Sequence, residues 1–196
     1  NPLALTPRKF MGIPIYKIRV KTNHLEQLIH TIAFFFSFPN HLGFGTELLI
    51  TQERITRADV YFNSPGGSLL AAMSVGRLLR ERGFDTYVGR RSDELRQPGA
   101  AVCYSACPFG FAGGVRRFLE TQSVLGLHAA ANSVPVPDEV AFQQLVEAQA
   151  TQYLGEMGVS AALLGFMRSV PHDGIRLLTR DEAVELRIVN AVAVRE

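Results

Sequence analysis

The segment CYSAC, Cys103 to Cys107, sets a serine between two cysteines. A serine hydroxyl becomes a useful nucleophile when a neighbouring base takes its proton. The tetrahedral oxyanion that follows needs preorganised N–H donors. The sequence supplies a candidate for each part. His128 ends the segment VLGLH, and an imidazole titrates near neutral pH, where a general base must work. Gly66 and Gly67, in NSPGG, can bring bare backbone N–H groups up to a substrate because no side chain stands in the way. Ser105 just before a helix would add the Ala106 N–H and the positive end of the helix dipole. Together these residues would perform acyl transfer.

Each residue also has a structural reading. Ser105 could simply cap a helix. A Gly-Gly turn can open a helix or cradle a phosphate, although NSPGG lacks the G-x-x-x-x-G-K-[ST] pattern, which argues against nucleotide binding. His128 could be a satisfied core histidine. The C-x-x-x-C pair, even with His128 added, falls short of the four ligands of a structural zinc site, so no metal is expected. Cys103 and Cys107 are close enough on a helical turn for a disulfide, which would imply an oxidising compartment. Two buried apolar thiols fit equally well.

These residues have to be brought together by the elements between them. Ile13–Lys21 alternates as a strand, and Leu25–Phe38 reads as a buried helix stopped at Pro39. A short strand is expected at Leu48–Thr51, and Asp59–Asn63 is a buried strand running into the Gly-Gly turn. A helix starts at Ser68, sets Leu69, Ala72, Met73, Gly76 and Leu79 on one face, and stops at Gly83. Phe84–Val88 is the next strand, followed by a polar loop at Gly89–Gly99. Phe109–Val115 reads as a glycine-rich helix and Val124–His128 as a strand. Helices are expected at Asp138–Leu154 and Ser160–Arg168, a capping box at Thr179–Glu182 opens a short helix, and Ile188–Val194 closes as a strand. Alternating strands and helices give an α/β fold with mostly parallel strands. Such folds gather their sites at the carboxyl ends of strands, where Gly67, Ser105 and His128 all fall.

The bulk properties agree. The 196 residues are 47% hydrophobic and 19% charged, which suits one globular domain across residues 1–196. The formal charge of +2 is scattered, so nothing suggests a nucleic-acid partner, and the pairs Arg90-Arg91 and Arg116-Arg117 read as solvated surface. No run reaches the roughly 20 apolar residues of a membrane span. No secretory leader is evident at Asn1.

The segment VYFNSPGGS (60–68) closely resembles the Y-I-N-S-P-G-G motif of the ClpP-type serine peptidases. CYSAC and LGLHAA resemble the C-x-S-A-C and G-x-H segments of ClpP-like bacterial proteins predicted to be periplasmic, and TRDEAVELRIVNAV resembles that family's ending. The resemblance runs over about residues 10–195. It implies a ClpP/crotonase-like superhelix of ββα units and a serine peptidase without a cofactor. Ser105 is then the nucleophile, His128 the general base, and the N–H groups of Gly67 and Ala106 the oxyanion hole. A peptide substrate would add as a strand beside Gly66, Ser68 and Leu69 on one side and Ala129 to Ala131 on the other. The family's triad aspartate precedes the last helix. An ungapped alignment puts Ile175 there, and Asp173, two residues earlier, takes the role if the loop is longer, leaving His172 on the surface. The family implies homo-oligomerisation and leans towards an extracytoplasmic compartment. The ring-stacking N-terminal segments of the compartmental peptidase are not recognisable, so no ATPase partner is implied.

Two other classes compete with a peptidase. One is a binding or scaffold protein with a degraded site. The other is a crotonase-type acyl-CoA enzyme, which would need no Ser–His pair.

Overall fold

The computed structural model describes residues 57–90, 99–130 and 135–192, together with the backbone of 17–20 and 29–30. Strands β1 (Lys17–Val20) and β2 (Ile29–His30) pair antiparallel. β1 falls within the alternating segment, but Ile29 and His30 pair as a strand where a helix was expected. A short apolar run has no periodicity that separates the two. The rest of that expected helix and the Leu48–Thr51 strand lie outside the described residues.

β1 also pairs antiparallel with β3 (Ala58–Phe62), and from there the sheet turns parallel through β4 (Asp85–Val88) to β6 (Arg117–Leu119). Its strand order is β2-β1-β3-β4-β6. A second sheet sets β5 (Val102–Tyr104) parallel to β7 (Val124–Leu127), with β8 (Arg176–Leu177) antiparallel on β7. The expected α/β fold is present, with a parallel centre and antiparallel edges. β6 and β8 had no signal in the sequence, being too short to alternate. Of the expected closing strand Ile188–Val194, only Ala191 pairs, as a single bridge to Phe118, and residues 193–196 lie outside the described residues.

Parallel neighbours need a crossover, and α1 (Leu69–Glu81) supplies the one between β3 and β4. Ser68 caps it, accepting the Ala71 N–H at 3.3 Å, and Gly83 at φ 67° lets the chain leave. Its inner face crosses the short helix α2 (Cys107–Ala112) at Gly76. A β-carbon on Gly76 would collide with the Tyr153 hydroxyl and lie 2.9 Å from the Phe109 carbonyl oxygen. Tyr153 comes from α3 (Glu139–Glu156), is fully buried, and donates its hydroxyl to that same carbonyl. Three helices therefore lock at one glycine. The buried rings of Tyr153, Phe109 and Phe111 each contribute about 1.5–3 kcal/mol of transfer free energy.

Arginines secure the carbonyls around α2. Arg80 donates to the carbonyls of Ala112, Gly113, Gly114 and Met157. Arg117 corrects the surface reading: it is only 3% exposed and donates to the carbonyls of Gly114, Arg187 and Ile188. Burial pulls its guanidinium down to about 10, so it stays charged at neutral pH. Its neighbour Arg116 is exposed and ion-paired with Asp85. Helices α4 (Ala162–Arg168) and α5 (Arg180–Glu185) complete the chain, and both halves of the Thr179–Glu182 capping box are formed. Among the described residues no helix is long and apolar enough to cross a membrane.

Candidate active site

β3 delivers the NSPGG turn directly against β5. Past Phe62, the Ser64 N–H donates to the Val102 carbonyl at 2.7 Å and the Ser64 carbonyl accepts the Tyr104 N–H at 3.0 Å. The buried Ser64 hydroxyl accepts the Gly66 N–H at 3.1 Å, which tightens the turn. Gly66 and Gly67 follow at φ 117° and 147°, a region that costs little only for glycine. A β-carbon built on Gly66 would sit 2.5 Å from the Ser105 Cβ, 3.1 Å from its Oγ and 2.9 Å from the Tyr104 carbonyl oxygen. The Gly-Gly turn and the candidate nucleophile are thus in direct contact although 39 residues separate them.

Ser105 stands at the turn from β5 into α2 with φ 59°. A side chain in this left-handed region costs about 1–2 kcal/mol, so the surroundings must hold it there. Its N–H donates to the Gly126 carbonyl at 2.9 Å. Cys103 and Cys107 form a disulfide, their α-carbons 5.2 Å apart, which closes a small loop around it. Both cysteines are buried. α2 starts at Cys107, earlier than the expected Phe109, and ends at Ala112. Pro108 sits in its first turn, where a missing N–H costs nothing. Among the described residues neither the Gly67 N–H nor the Ala106 N–H donates a hydrogen bond.

His128 follows β7. The β5–β7 register sets Tyr104 opposite Gly126, so Ser105 and His128 leave the same end of adjacent parallel strands. His128 is 8% exposed. Its Nδ1 lies 2.8 Å from the Ala129 carbonyl oxygen. Ser105 Oγ and the His128 ring share no hydrogen bond among the described residues.

The remaining candidates behave differently. Asp173 is exposed, and among the described residues no hydrogen bond joins it to His128. Ile175, at the aligned place of the acid, lies against Gly126: its Cγ2 would be 2.8 Å from a β-carbon there. The group that does reach His128 is His172, read from sequence as surface. The two rings are T-shaped, with centroids 4.8 Å apart. Nothing in PHDG pointed to this, because the contact depends on how the loop after α4 folds back. Ala129 is fully engaged within the chain: its N–H donates to the Val170 carbonyl at 2.9 Å and its carbonyl faces both imidazoles. Ala131 lies outside the described residues. Among the described residues no cluster of metal-ligating side chains occurs.

No protein-family model matches the chain, and no curated protein matches it. Solved structures do. One is a serine-to-alanine mutant of the membrane-bound stomatin-specific protease 1510-N, similar at a TM-score of 0.51 and 15% identity over 77% of this chain and 70% of that one. At this identity the likeness is one of fold: the chain has a ClpP-like α/β fold that it shares with a protease.

Proposed function

We propose that this chain is a serine peptidase that cleaves peptide bonds through an acyl-enzyme. The observation that carries the reading is the contact of Gly66 with Ser105, at the same strand ends as His128. Ser105 Oγ attacks the carbonyl carbon as His128 Nε2 takes its proton. The new oxyanion accepts from the Gly67 and Ala106 N–H groups. The C–N bond then breaks as the imidazolium returns the proton to the leaving amine. Water, deprotonated by the same ring, releases the acyl group. No cofactor takes part. Substrate pairing runs along Gly66 to Leu69, where Ser68 has its hydroxyl committed to the helix cap and, among the described residues, donates no hydrogen bond from its N–H. At Ala129 an added strand would have to displace existing bonds.

The buried disulfide fits an oxidising compartment outside the cytoplasm. Val140 and Leu145, exposed on the outer part of α3, fit self-association through that helix. A second reading, a binding or scaffold protein on the same fold, is favoured by one observation: among the described residues no carboxylate is bonded to His128.

The test is covalent labelling by a fluorophosphonate, which reacts with activated serines. Labelling of the wild type that disappears in Ser105→Ala and in His128→Ala supports the peptidase. A folded wild type that does not label overturns it in favour of the scaffold.

A further inference from the structure

We propose, resting on the peptidase reading, that His172 and the Ala129 carbonyl together position His128, in the role a triad carboxylate would fill. Nδ1 of His128 lies 2.8 Å from the Ala129 oxygen, and Nδ1 of His172 lies 3.2 Å from the same oxygen. A carbonyl oxygen only accepts, so a hydrogen bond at each contact requires the proton on Nδ1. In the neutral His128 ring this leaves the lone pair on Nε2. That is the tautomer a base needs to take a proton from serine, and it is the tautomer a triad acid normally fixes.

The carbonyl is itself held in place. One segment, Val170 to His172, grips residue 129 at both polar groups. The Val170 carbonyl accepts the Ala129 N–H at 2.9 Å, and the His172 ring donates to the Ala129 carbonyl. Two ring nitrogens then converge on one oxygen, and the residue that carries it is anchored through its own N–H. The His172 ring also stands T-shaped to His128, at an interplanar angle of 66°, and restricts its rotation. The carboxylate alternatives are missing locally: Ile175 offers no acceptor, and Asp173 makes no bond to His128 among the described residues. A neutral dipole stabilises an imidazolium less than a carboxylate does. The arrangement therefore orients the base more than it raises its charge stability. His172 acts through the carbonyl, which makes it a positioning residue.

The test compares wild type, His172→Ala and His172→Asn; the asparagine amide can still donate to the carbonyl. His172 is exposed, so its replacement opens no core cavity. Long-range 1H–15N spectra of 15N-histidine protein, at about pH 8 where ordinary imidazoles are neutral, read the His128 tautomer directly. We expect a single Nδ1–H form in wild type, a tautomer mixture in His172→Ala, and restoration in His172→Asn. The maximal rate of fluorophosphonate labelling should fall roughly 10²-fold in His172→Ala, as for a misplaced catalytic group. The probe concentration at half-maximal rate should not change. An unchanged tautomer and rate in His172→Ala overturn the proposal, and so does an equal loss in both variants, since the donor would then not be the cause. If the wild type does not label, the peptidase reading fails, while the spectra still decide whether His172 sets the His128 tautomer.

Discussion

Gly66 and Ser105 touch so closely that a single methyl group would separate them: a β-carbon on Gly66 falls 2.5 Å from the serine Cβ. The same β-carbon would lie 2.9 Å from the Tyr104 carbonyl oxygen, a backbone atom that cannot swing aside as a side chain can. Gly66→Ala adds that methyl at φ 117°, where a side chain is also strained. The turn and Ser105 must shift apart, and a displacement of about 1 Å in a catalytic group costs on the order of 10²-fold in rate. Fluorophosphonate labelling should therefore fall about 10²-fold in Gly66→Ala while the far-ultraviolet circular dichroism remains that of wild type. Labelling within twofold of wild type would mean the contact plays no part in activating the serine.

Arg117 tests the scaffold behind the site. Its guanidinium is buried and is shared among three carbonyls that belong to Gly114, Arg187 and Ile188. Arg117→Leu leaves those carbonyls without this donor in a place water cannot easily fill. The Gly114 carbonyl keeps its bond from Arg80, so the orphans are those of Arg187 and Ile188; each buried orphan costs about 1–3 kcal/mol, and a loss of at least about 2 kcal/mol is expected. Urea unfolding would measure it. A change below about 1 kcal/mol would show that the carbonyls find other donors.

The parts legible in sequence are those written locally. NSPGG needs two glycines because of its φ values, and DVYFN and VLGLH read as strands, so Gly67 and His128 could be assigned to strand ends, whereas β5, the three-residue strand that carries Ser105, was not legible in CYSAC. The α1 helix was legible for the same reason, with Ser68 and Gly83 marking its limits. What the sequence hid depends on distant partners. Arg117 looks like a surface charge because the carbonyls of Arg187 and Ile188 that bury it lie some 70 residues onward. His172 looks idle because its acceptor, Ala129, is 43 residues away. β8 has exposed side chains and only two residues, so its pairing with β7 leaves no trace in hydrophobic pattern.

The capping box at α5 gives a dependence on pH. Glu182 is held below the ordinary carboxylate range, first by the Thr179 backbone N–H and then by the nearby Arg176. A carboxyl whose folded value is depressed stabilises the fold while both folded and unfolded forms are ionised. That contribution is present above the unfolded value of about 4.3 and is lost as pH falls through the folded value. Glu182→Gln should therefore melt below wild type at pH 7, and the gap should close as pH is lowered below about 4. Thr179→Ala, which removes the other half of the box, should cost about 1 kcal/mol at neutral pH. A gap in melting temperature that stays constant from pH 7 to pH 3 would mean that the Glu182 charge contributes nothing.

The disulfide around Ser105 should matter more to activity than to stability. It joins residues four apart, and closing so short a loop removes only about 2 kcal/mol of unfolded-state entropy. Locally it acts on the site itself, because Ser105 sits in a left-handed conformation that an unbridged chain would leave for a relaxed one. The double variant Cys103→Ala, Cys107→Ala keeps both positions apolar, as their burial requires. It should still fold, with its unfolding midpoint lowered in proportion to about 2 kcal/mol. Labelling of Ser105 in the folded variant should drop by tenfold or more, since an alternative conformer favoured by about 1.4 kcal/mol would hold nine-tenths of the population. Chemical denaturation and labelling kinetics on the same sample separate the two effects. Full labelling activity in a variant that has lost the expected stability would show that the Gly66 contact and the Ser105 N–H bond to Gly126 hold the serine without the bridge.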